Sequence, residues 1–326
     1  MRAIRLNEFG PAENLRYEEV ATPEPGPGEV RIAVAAAGVH LLDVMLRAGE
    51  GMGPFPKPEL PATLGREVAG TVDAVGVGVD PVLVGRRVVA HLGNRAGGYA
   101  EFAIIDDQAL LMLPDGLPAE IAVSMVGTGR TALAILEVAG ITADDIVLIP
   151  AAAGGLGTLL VQAARRVGAV VVGAAGGAAK VEAVRASGAD LAVDYTVADW
   201  ADRVREELAG RSVTVVLESV GGDIGRDALE LLGRGGRLVT FGWSSGTAIP
   251  DLAEAAADAG VTVENPLGPR MMNRPGGIKA LAEAALAAAA ANELRPATTT
   301  FALPDAAAAH TALATRKTMG KVVLVP

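Results

Sequence analysis

The sequence predicts an α/β protein in which a doubly wound parallel sheet of the nucleotide-binding kind is joined to a mostly-β domain. Three observations carry this expectation. The first 120 or so residues are short β-branched runs cut by glycine and proline; beyond them, short apolar runs alternate with helical stretches; and a glycine-rich turn links the first of those runs to the first of those helices.

In the N-terminal part, EVRIAVAAAGV (29–39), EVAGTVDAVG (67–76) and GRRVVAHL (85–92) are separated by PGPG (25–28), GMGPFPKP (51–58) and RAGG (95–98). Such runs read as short strands joined by turns, with no strand–helix rhythm. Next, IVLIPAA (146–152) reads as a buried strand. GGLGTLLVQAARRVG (154–168) sets apolar residues at 156, 159, 160, 163 and 167, one face of a helix. VVVG (170–173) is a second strand, and AAKVEAVRASG (178–188) a helix ending at Gly188. DLAVDY (190–195), VTVVLES (213–219) and GRLVTFG (236–242) continue as strands, with helices near 197–208 and 223–233. This alternation predicts a parallel sheet covered on both faces. The tail holds an alanine-rich helix (276–292), the strand-like TTTFAL (298–303), a short helix (304–314) and a final strand, KVVLVP (321–326). A terminal strand must pair with something. We assign the tail to the N-terminal domain, which makes that domain discontinuous; a third lobe, or a seventh strand on the parallel sheet, is the alternative.

Composition narrows the function classes. The chain has 326 residues, enough for two domains, with 51% hydrophobic and 20% charged residues, as in ordinary soluble proteins. No charge-free apolar stretch reaches the ~20 residues of a membrane-spanning helix. The opening MRAIRLNEFG lacks a basic-then-apolar export signal. A cytoplasmic protein is expected. There is no cysteine, hence no disulfide, thiolate metal site or cysteine nucleophile. A net charge of −10 argues against nucleic-acid or anionic-membrane partners.

The turn Ala152-Ala153-Gly154-Gly155-Leu156-Gly157 is a G-x-G-x-x-G pattern with alanine in the first place. Small residues let the chain turn tightly, let its backbone approach a pyrophosphate and let the helix pack closely on the strand. The helix start then offers free N–H groups to phosphates. Ala153, Gly154, Gly155, Leu156 and Gly157 are therefore candidate dinucleotide contacts. A tight turn without a ligand is the alternative, but four further strand patterns complete the sheet that this motif requires. NAD-binding folds place an acid about 20 residues past the turn, on the ribose hydroxyl. Here the second strand ends Val172-Gly173-Ala174-Ala175-Gly176-Gly177, with no acid. Gly176 leaves room for a 2′-phosphate, Lys180 supplies a cation within a helical turn, and Tyr195 a phenol; together they favour NADPH. Taken singly, Lys180 also fits a solvated helix face and Tyr195 a half-buried strand end.

GVHLLDVMLRAG (38–49), LGREVAGTVDAVGVGV (64–79), GGYAEF (97–102), AAAGGLGTLLVQAARRVGA (151–169), LESVGGD (217–223), FGWSSG (241–246) and GKVVLVP (320–326), in that order, resemble the medium-chain dehydrogenase/reductase superfamily and, within it, its zinc-free quinone oxidoreductases. The resemblance implies a GroES-like substrate domain over 1–122, completed by 266–326, with a Rossmann-type NADPH-binding domain over 123–265. Where zinc-dependent members carry a cysteine ligand, this chain has His40; where they carry a ligating histidine, it has Arg66. A catalytic zinc needs three protein ligands, and no metal is expected. Asparagine is usual at the position of His40, which faces the substrate in relatives. His40 is thus the candidate catalytic residue, giving a hydrogen bond or proton to the acceptor oxygen; lining the cleft is its plainer role. Relatives often have serine or threonine at Gly177, which weakens the NADPH preference without reversing it.

The same resemblance implies further cofactor contacts: Thr128 beside the nicotinamide, Phe241, Gly242 and Ser244 in a loop packed on the cofactor, Ser219 and Val220 at a strand's carboxyl end, and Arg316 near the terminus. Their plainer roles are a helix start for Thr128, core for Phe241, a turn for Ser244 and a surface charge for Arg316. The expected activity is metal-free, NADPH-dependent reduction of quinones or α,β-unsaturated carbonyls by hydride transfer. An enoyl-thioester reductase and a non-catalytic NADPH-binding sensor or structural protein are the alternatives. VTVEN (261–265) is expected as an edge strand that pairs with its mate in a homodimer.

Overall fold

The computed structural model describes residues 1–51 and 55–326, and in its N-terminal part the apolar–polar alternation becomes antiparallel sheet. The turn expected over 51–58 includes Met52, Gly53 and Pro54, which lie outside the described residues. Strands β1 (Arg2–Leu6) and β2 (Leu15–Glu19) form a ribbon. The longest strand, β3 (Glu29–Val39), buries Val30, Ile32 and Val34 on one face, as period-two alternation dictates. A helix follows, α1 (Leu41–Ala48), whose start is fixed by the Asp43 carboxylate accepting the His40 backbone N–H at 2.8 Å. Strands β4 (Glu67–Val75), β5 (Arg87–His91), β6 (Phe102–Asp106) and β7 (Leu111–Met112) complete this part of the sheet.

Then α2 (Ala119–Ser124), a π-helical turn (Met125–Gly129) and α3 (Arg130–Ala139) make one helical path. By length and composition this path is apolar enough to cross a membrane, but 56% of its apolar window is buried in the protein. Two compact units meet in sequence within the π turn: Met1–Thr128 with Ala282–Pro326, and Gly129–Leu281. The expected junctions, after 122 and before 266, fall earlier in the chain than these.

The second unit alternates β8 (Ile146–Pro150), α4 (Gly155–Arg166), β9 (Val170–Ala175), α5 (Ala178–Ala186), β10 (Leu191–Asp194), α6 (Trp200–Glu207), β11 (Val213–Glu218), α7 (Gly222–Glu230), β12 (Leu232–Thr240), α8 (Leu252–Ala259) and β13 (Thr262–Glu264). All six strands are parallel, in the order β10-β9-β8-β11-β12-β13. That is a doubly wound sheet whose order reverses between β8 and β11, and ligands bind such sheets at the carboxyl ends beside the reversal. One expectation is corrected: the strand placed at 236–242 runs from Leu232 to Thr240, so Phe241 and Gly242 belong to the loop beyond it. Gly233, Gly235 and Gly236 hide its beginning from a propensity reading.

After the short helix α9 (Pro269–Met272) and α10 (Gly277–Ala290), the tail adds β14 (Thr298–Ala302), α11 (Ala306–Ala314) and β15 (Lys321–Val325). β15 pairs antiparallel with β3, Val322 opposite Val39, and not with the parallel sheet. The core of this first unit gathers Ile4, Leu6, Ile32, Val68, Val88, Tyr99 and Leu324.

Candidate active site

In the second unit, the residues expected to hold a dinucleotide lie at the carboxyl ends of β8, β9, β10, β11 and β12. Past β8 the chain reverses through Ala151 at φ 53°, Gly154 donates its N–H to Ala151 O at 2.9 Å, and α4 begins at Gly155. A Cβ on Gly157 would lie 2.4 Å from Ala151 O and 2.6 Å from Ala152 Cα. Only glycine lets α4 sit this close to the turn. Ala152 and Ala153 are buried, while Gly154, Gly155 and Leu156 are half-buried, so the outer rim of the turn is almost bare of side chains. This fits a pyrophosphate approached by backbone N–H groups.

At the end of β9, Gly176 lies against the Tyr195 ring: a Cβ there would be 3.3 Å from Tyr195 Cε2. Lys180 stands in the first turn of α5, its N–H bonded to Gly177 O at 3.1 Å. The three residues expected around a 2′-phosphate thus come from one loop, one helix start and one strand end. Asp194, not foreseen, ties them together. Its carboxylate accepts the Gly177 N–H at 3.0 Å and both the N–H and hydroxyl of Thr196. The Gly177 N–H, then the Thr196 hydroxyl, hold its pKa below the usual aspartate value against a slight cost of burial. The D-x-T spacing is the signal for such a turn.

Beyond β11 and β12, Ser219 and Val220 join the loop at 241–246 through backbone bonds, Ser244 N–H to Ser219 O at 2.9 Å and Ser245 N–H to Val220 O at 2.8 Å. Phe241 is half-buried, outside the core, as are Gly242 and Ser244. Glu218, also unforeseen, organises this corner from below. It is fully buried, and its Oε1 accepts the N–H groups of Val220 at 2.6 Å and Gly221 at 2.9 Å. Burial raises its pKa, and the Gly221, Val220 and Ser219 N–H groups only partly offset this.

His40 lies in the first unit, in a cluster of its own. His40 Nε2 is 2.8 Å from Glu67 Oε2 and 3.0 Å from Lys321 Nζ, and Lys321 Nζ is 2.9 Å from Glu67 Oε2. The His40 side chain is 28% exposed, Lys321 5% and Glu67 not at all. Burial opposes the Glu67 charge, yet His40 and Lys321, with His91 beyond, hold its pKa well below the usual carboxylate value. Gly127, one residue before the half-buried Thr128, faces the same carboxylate: a Cβ there would overlap Glu67 Oε1 at 1.6 Å. Behind His40, Asp43 accepts the Tyr99 hydroxyl at 2.9 Å, and His310 Nε2 lies 3.2 Å from that hydroxyl. Arg66 stacks 4.1 Å from the Phe55 ring centre and donates to Asn94. Arg316 is exposed after α11, at φ 59°. Lys321 gave no sequence signal beyond a lone charge at the head of an apolar strand.

A bare glycine turn at the reversal of a doubly wound sheet, carried in one chain with a β-rich unit of GroES-like order, defines a medium-chain dehydrogenase/reductase. Residues 155–273 match the family model of zinc-binding dehydrogenases, and residues 26–115 that of the alcohol dehydrogenase GroES-like domain. The chain is 33% identical to the quinone oxidoreductase of Pseudomonas aeruginosa over 328 residues, covering 100% of this chain and 99% of that one. It is 35% identical to a 2-haloacrylate reductase of a Burkholderia species, over 100% and 99% of the two chains. A crystal structure of Escherichia coli quinone oxidoreductase complexed with NADPH superposes with a TM-score of 0.88 at 29% identity, over 100% of both chains. The chain belongs to the quinone oxidoreductase family of the medium-chain dehydrogenase/reductases and is an oxidoreductase.

The zinc in the first family's name does not fit this site. Arginine and histidine stand where ligands would, there is no cysteine, and the His40–Glu67 pair already holds an ammonium. Among the described residues no cluster of three or more His, Cys, Asp or Glu is positioned to hold a metal.

Proposed function

We propose that this chain uses NADPH to reduce quinones or activated alkenes conjugated to a carbonyl, without a metal. Bound NADPH supplies a hydride to the electron-poor acceptor. The chain's residues bind, orient and manage the proton. Ala153, Gly154, Gly155, Leu156 and Gly157 receive the pyrophosphate; Gly176, Lys180 and Tyr195 surround the 2′-phosphate; Ser219, Val220, Phe241, Gly242 and Ser244 pack on the cofactor. Thr128 and Arg316 are further cofactor contacts taken from the family resemblance, and His40 gives the hydrogen bond or proton to the acceptor oxygen. The observation that carries the reading is the glycine turn, closed so tightly at Gly157 that a Cβ there would meet the backbone of Ala151 and Ala152. The 2-haloacrylate reductase relative favours alkene acceptors alongside quinones.

The test is acceptor-dependent NADPH oxidation by the purified protein on a panel of quinones, enones, haloacrylates and enoyl-thioesters. Turnover of quinones or small activated alkenes is expected. No turnover on any acceptor, with NADPH bound, refutes the reductase reading in favour of a sensor. The reading also takes the protein as a cytoplasmic homodimer built on β13, a sheet edge whose Val263 is exposed. Light scattering that gives a monomer refutes that assembly.

A further inference from the structure

A guanidinium is buried close to the His40 cluster with no acid bonded to it. β4 pairs β5 with Glu67 opposite His91, and one step outward the Leu92 N–H donates to Arg66 O at 2.7 Å. That pairing sets Arg66 beside the turn that follows β5. Its Nη2 donates to Asn94 Oδ1 at 3.2 Å, and its Cζ lies over the Phe55 ring, 4.1 Å from the centre. The residue is 7% exposed. Burial lowers its pKa against the pull of Asp43 and Glu67, yet a guanidinium keeps its charge in proteins. Those two carboxylates lie within range of the charge but are bonded elsewhere. Asp43 Oδ2 accepts the Tyr99 hydroxyl and the His40 N–H, and Glu67 Oε2 faces Lys321 and His40.

A charge taken out of water is costly unless it is paired and hydrogen-bonded. Of the five N–H groups of a guanidinium, Asn94 takes one with a neutral oxygen, and the Phe55 ring covers one face. Among the described residues the first unit buries two arginines, and they differ. Arg47 Nε is sealed from solvent with no partner, whereas no nitrogen of Arg66 is sealed in that way. The edge of Arg66 that Asn94 does not take is open to an arriving group.

We propose that Arg66 is a specificity residue that binds the carboxylate of an acidic acceptor, so that the protein takes α,β-unsaturated carboxylic acids in preference to their neutral amides. The proposal rests on the reductase reading above and names its substrate class. A flat guanidinium edge meets two carboxylate oxygens at once, which an ammonium cannot do. Phe55 and Asn94 hold that edge still before the acid arrives, which lowers the cost of ordering it. The chemistry gains as well. Hydride passes from NADPH to the carbon β to the carboxylate and a proton reaches the α carbon, so NADPH and one proton are consumed and the acid group is unchanged. As the hydride arrives, negative charge gathers on a group that already carries one, and a fixed cation beside it offsets that build-up.

The test is binding of methacrylate and of methacrylamide to the intact protein in the presence of NADP+, where no reduction can occur, read by saturation-transfer NMR of the ligand. Wild type should bind the acid at least about tenfold more tightly than the amide. Arg66→Met should weaken the acid by roughly tenfold to a hundredfold, the scale of a hydrogen-bonded charge pair, and erase the preference. Arg66→Lys keeps the charge without the fork and should fall between the two. With NADPH, the ratio of kcat/KM for acid over amide should drop in Arg66→Met by the same factor. Equal binding of acid and amide by the wild type, or a full preference for the acid in a folded Arg66→Met protein, overturns the proposal. If the acid binds through Arg66 while no acceptor is reduced, the proposed reductase function fails and the carboxylate site stands. If quinones or enones are reduced while the acid is not preferred, the carboxylate site fails and the reductase stands.

Discussion

Replacing Gly157 by alanine separates two demands that the turn makes on the chain. Gly157 has ordinary helical backbone geometry inside α4, so propensity favours alanine there by about 0.5–1 kcal/mol. Against this, the new methyl would sit 2.4 Å from Ala151 O, 2.6 Å from Ala152 Cα and 2.7 Å from Ala152 C. These neighbours are backbone and cannot rotate aside, so α4 must move. Forced insertion of a methyl into a packed site costs about 1–3 kcal/mol, which outweighs the propensity gain. The net loss of stability should be roughly 1–2 kcal/mol. A helix start displaced from the turn should also weaken NADPH binding by about tenfold or more, each tenfold being about 1.4 kcal/mol. The comparison is Gly154→Ala. Its Cβ would meet only Ala151 O, at 3.2 Å, and its φ of −78° suits alanine. That variant should fold as the wild type does and still lose NADPH affinity, because the methyl occupies the space the pyrophosphate needs. Thermal unfolding gives the stability, and quenching or enhancement of NADPH fluorescence gives the affinity. If Gly157→Ala matches the wild type in both, the close approach of helix and turn is not what the glycine is for, and the reasoning fails.

Lys180→Ala should raise the Kd for NADPH roughly tenfold and leave that for NADH unchanged, since it removes one charge-assisted bond to the 2′-phosphate; equal losses for both cofactors would place Lys180 elsewhere. Burial, and then the Arg47 guanidinium, depress the His310 pKa to about 3, so between about pH 6.5 and 3 the unfolded chain binds a proton that the folded one refuses. Stability should therefore fall as pH falls through that window, by about 1.4 kcal/mol per unit, and His310→Gln should flatten the slope seen in denaturant titrations at pH 6 and pH 4. Glu218 has the opposite sign: its raised folded pKa makes the native state bind the extra proton, so stability falls as pH rises through that value. Glu218→Gln keeps an oxygen for the Val220 and Gly221 N–H groups and should remove that loss; an unchanged pH profile would show that Glu218 is not desolvated.

The parallel sheet was legible because β8, β9 and β11 are mostly apolar runs bounded by small or polar residues, and the glycine turn because sterics there admit almost nothing else. Helices α1 and α2 were not read as helices, and α3 only as a helix start at Thr128. Two of them are short, α1 of eight residues and α2 of six, α1 is held by one cap at Asp43, and the path from Ala119 to Ala139 breaks its period at the π turn. The start of β12 was lost for a related reason, since its glycines carry no strand propensity and lie where the register with β11 shifts, between Leu232 and Arg237. Of the site, the residues that approach phosphate could be named because motif and spacing specify them. Lys321 could not. It lies 281 residues from His40, and only the antiparallel pairing of β15 with β3 makes the two neighbours. Asp194 and Glu218 stood in quoted stretches, yet what marks them is the direction of backbone N–H groups, which no local pattern prints.

Glu67 and Glu218 show how one residue type is given two tasks. Both are fully buried and both are crowded by glycine: Gly38 and Gly127 face Glu67, and a Cβ on Gly225 would lie 3.2 Å from the Glu218 carboxyl carbon. The difference is what stands opposite. Glu67 meets an ammonium and an imidazole, which hold its pKa well below the usual carboxylate value. Glu218 meets only backbone N–H groups, and its second oxygen has no hydrogen-bond partner. Partial dipoles do not repay the burial of a full charge, so this carboxyl is pushed toward its neutral form. Through Oε1 the carboxyl holds the turn at 219–221 in place beside the loop at 241–246, which bonds to Ser219 and Val220. The contrast between the two carboxyls follows from their surroundings rather than from their identity.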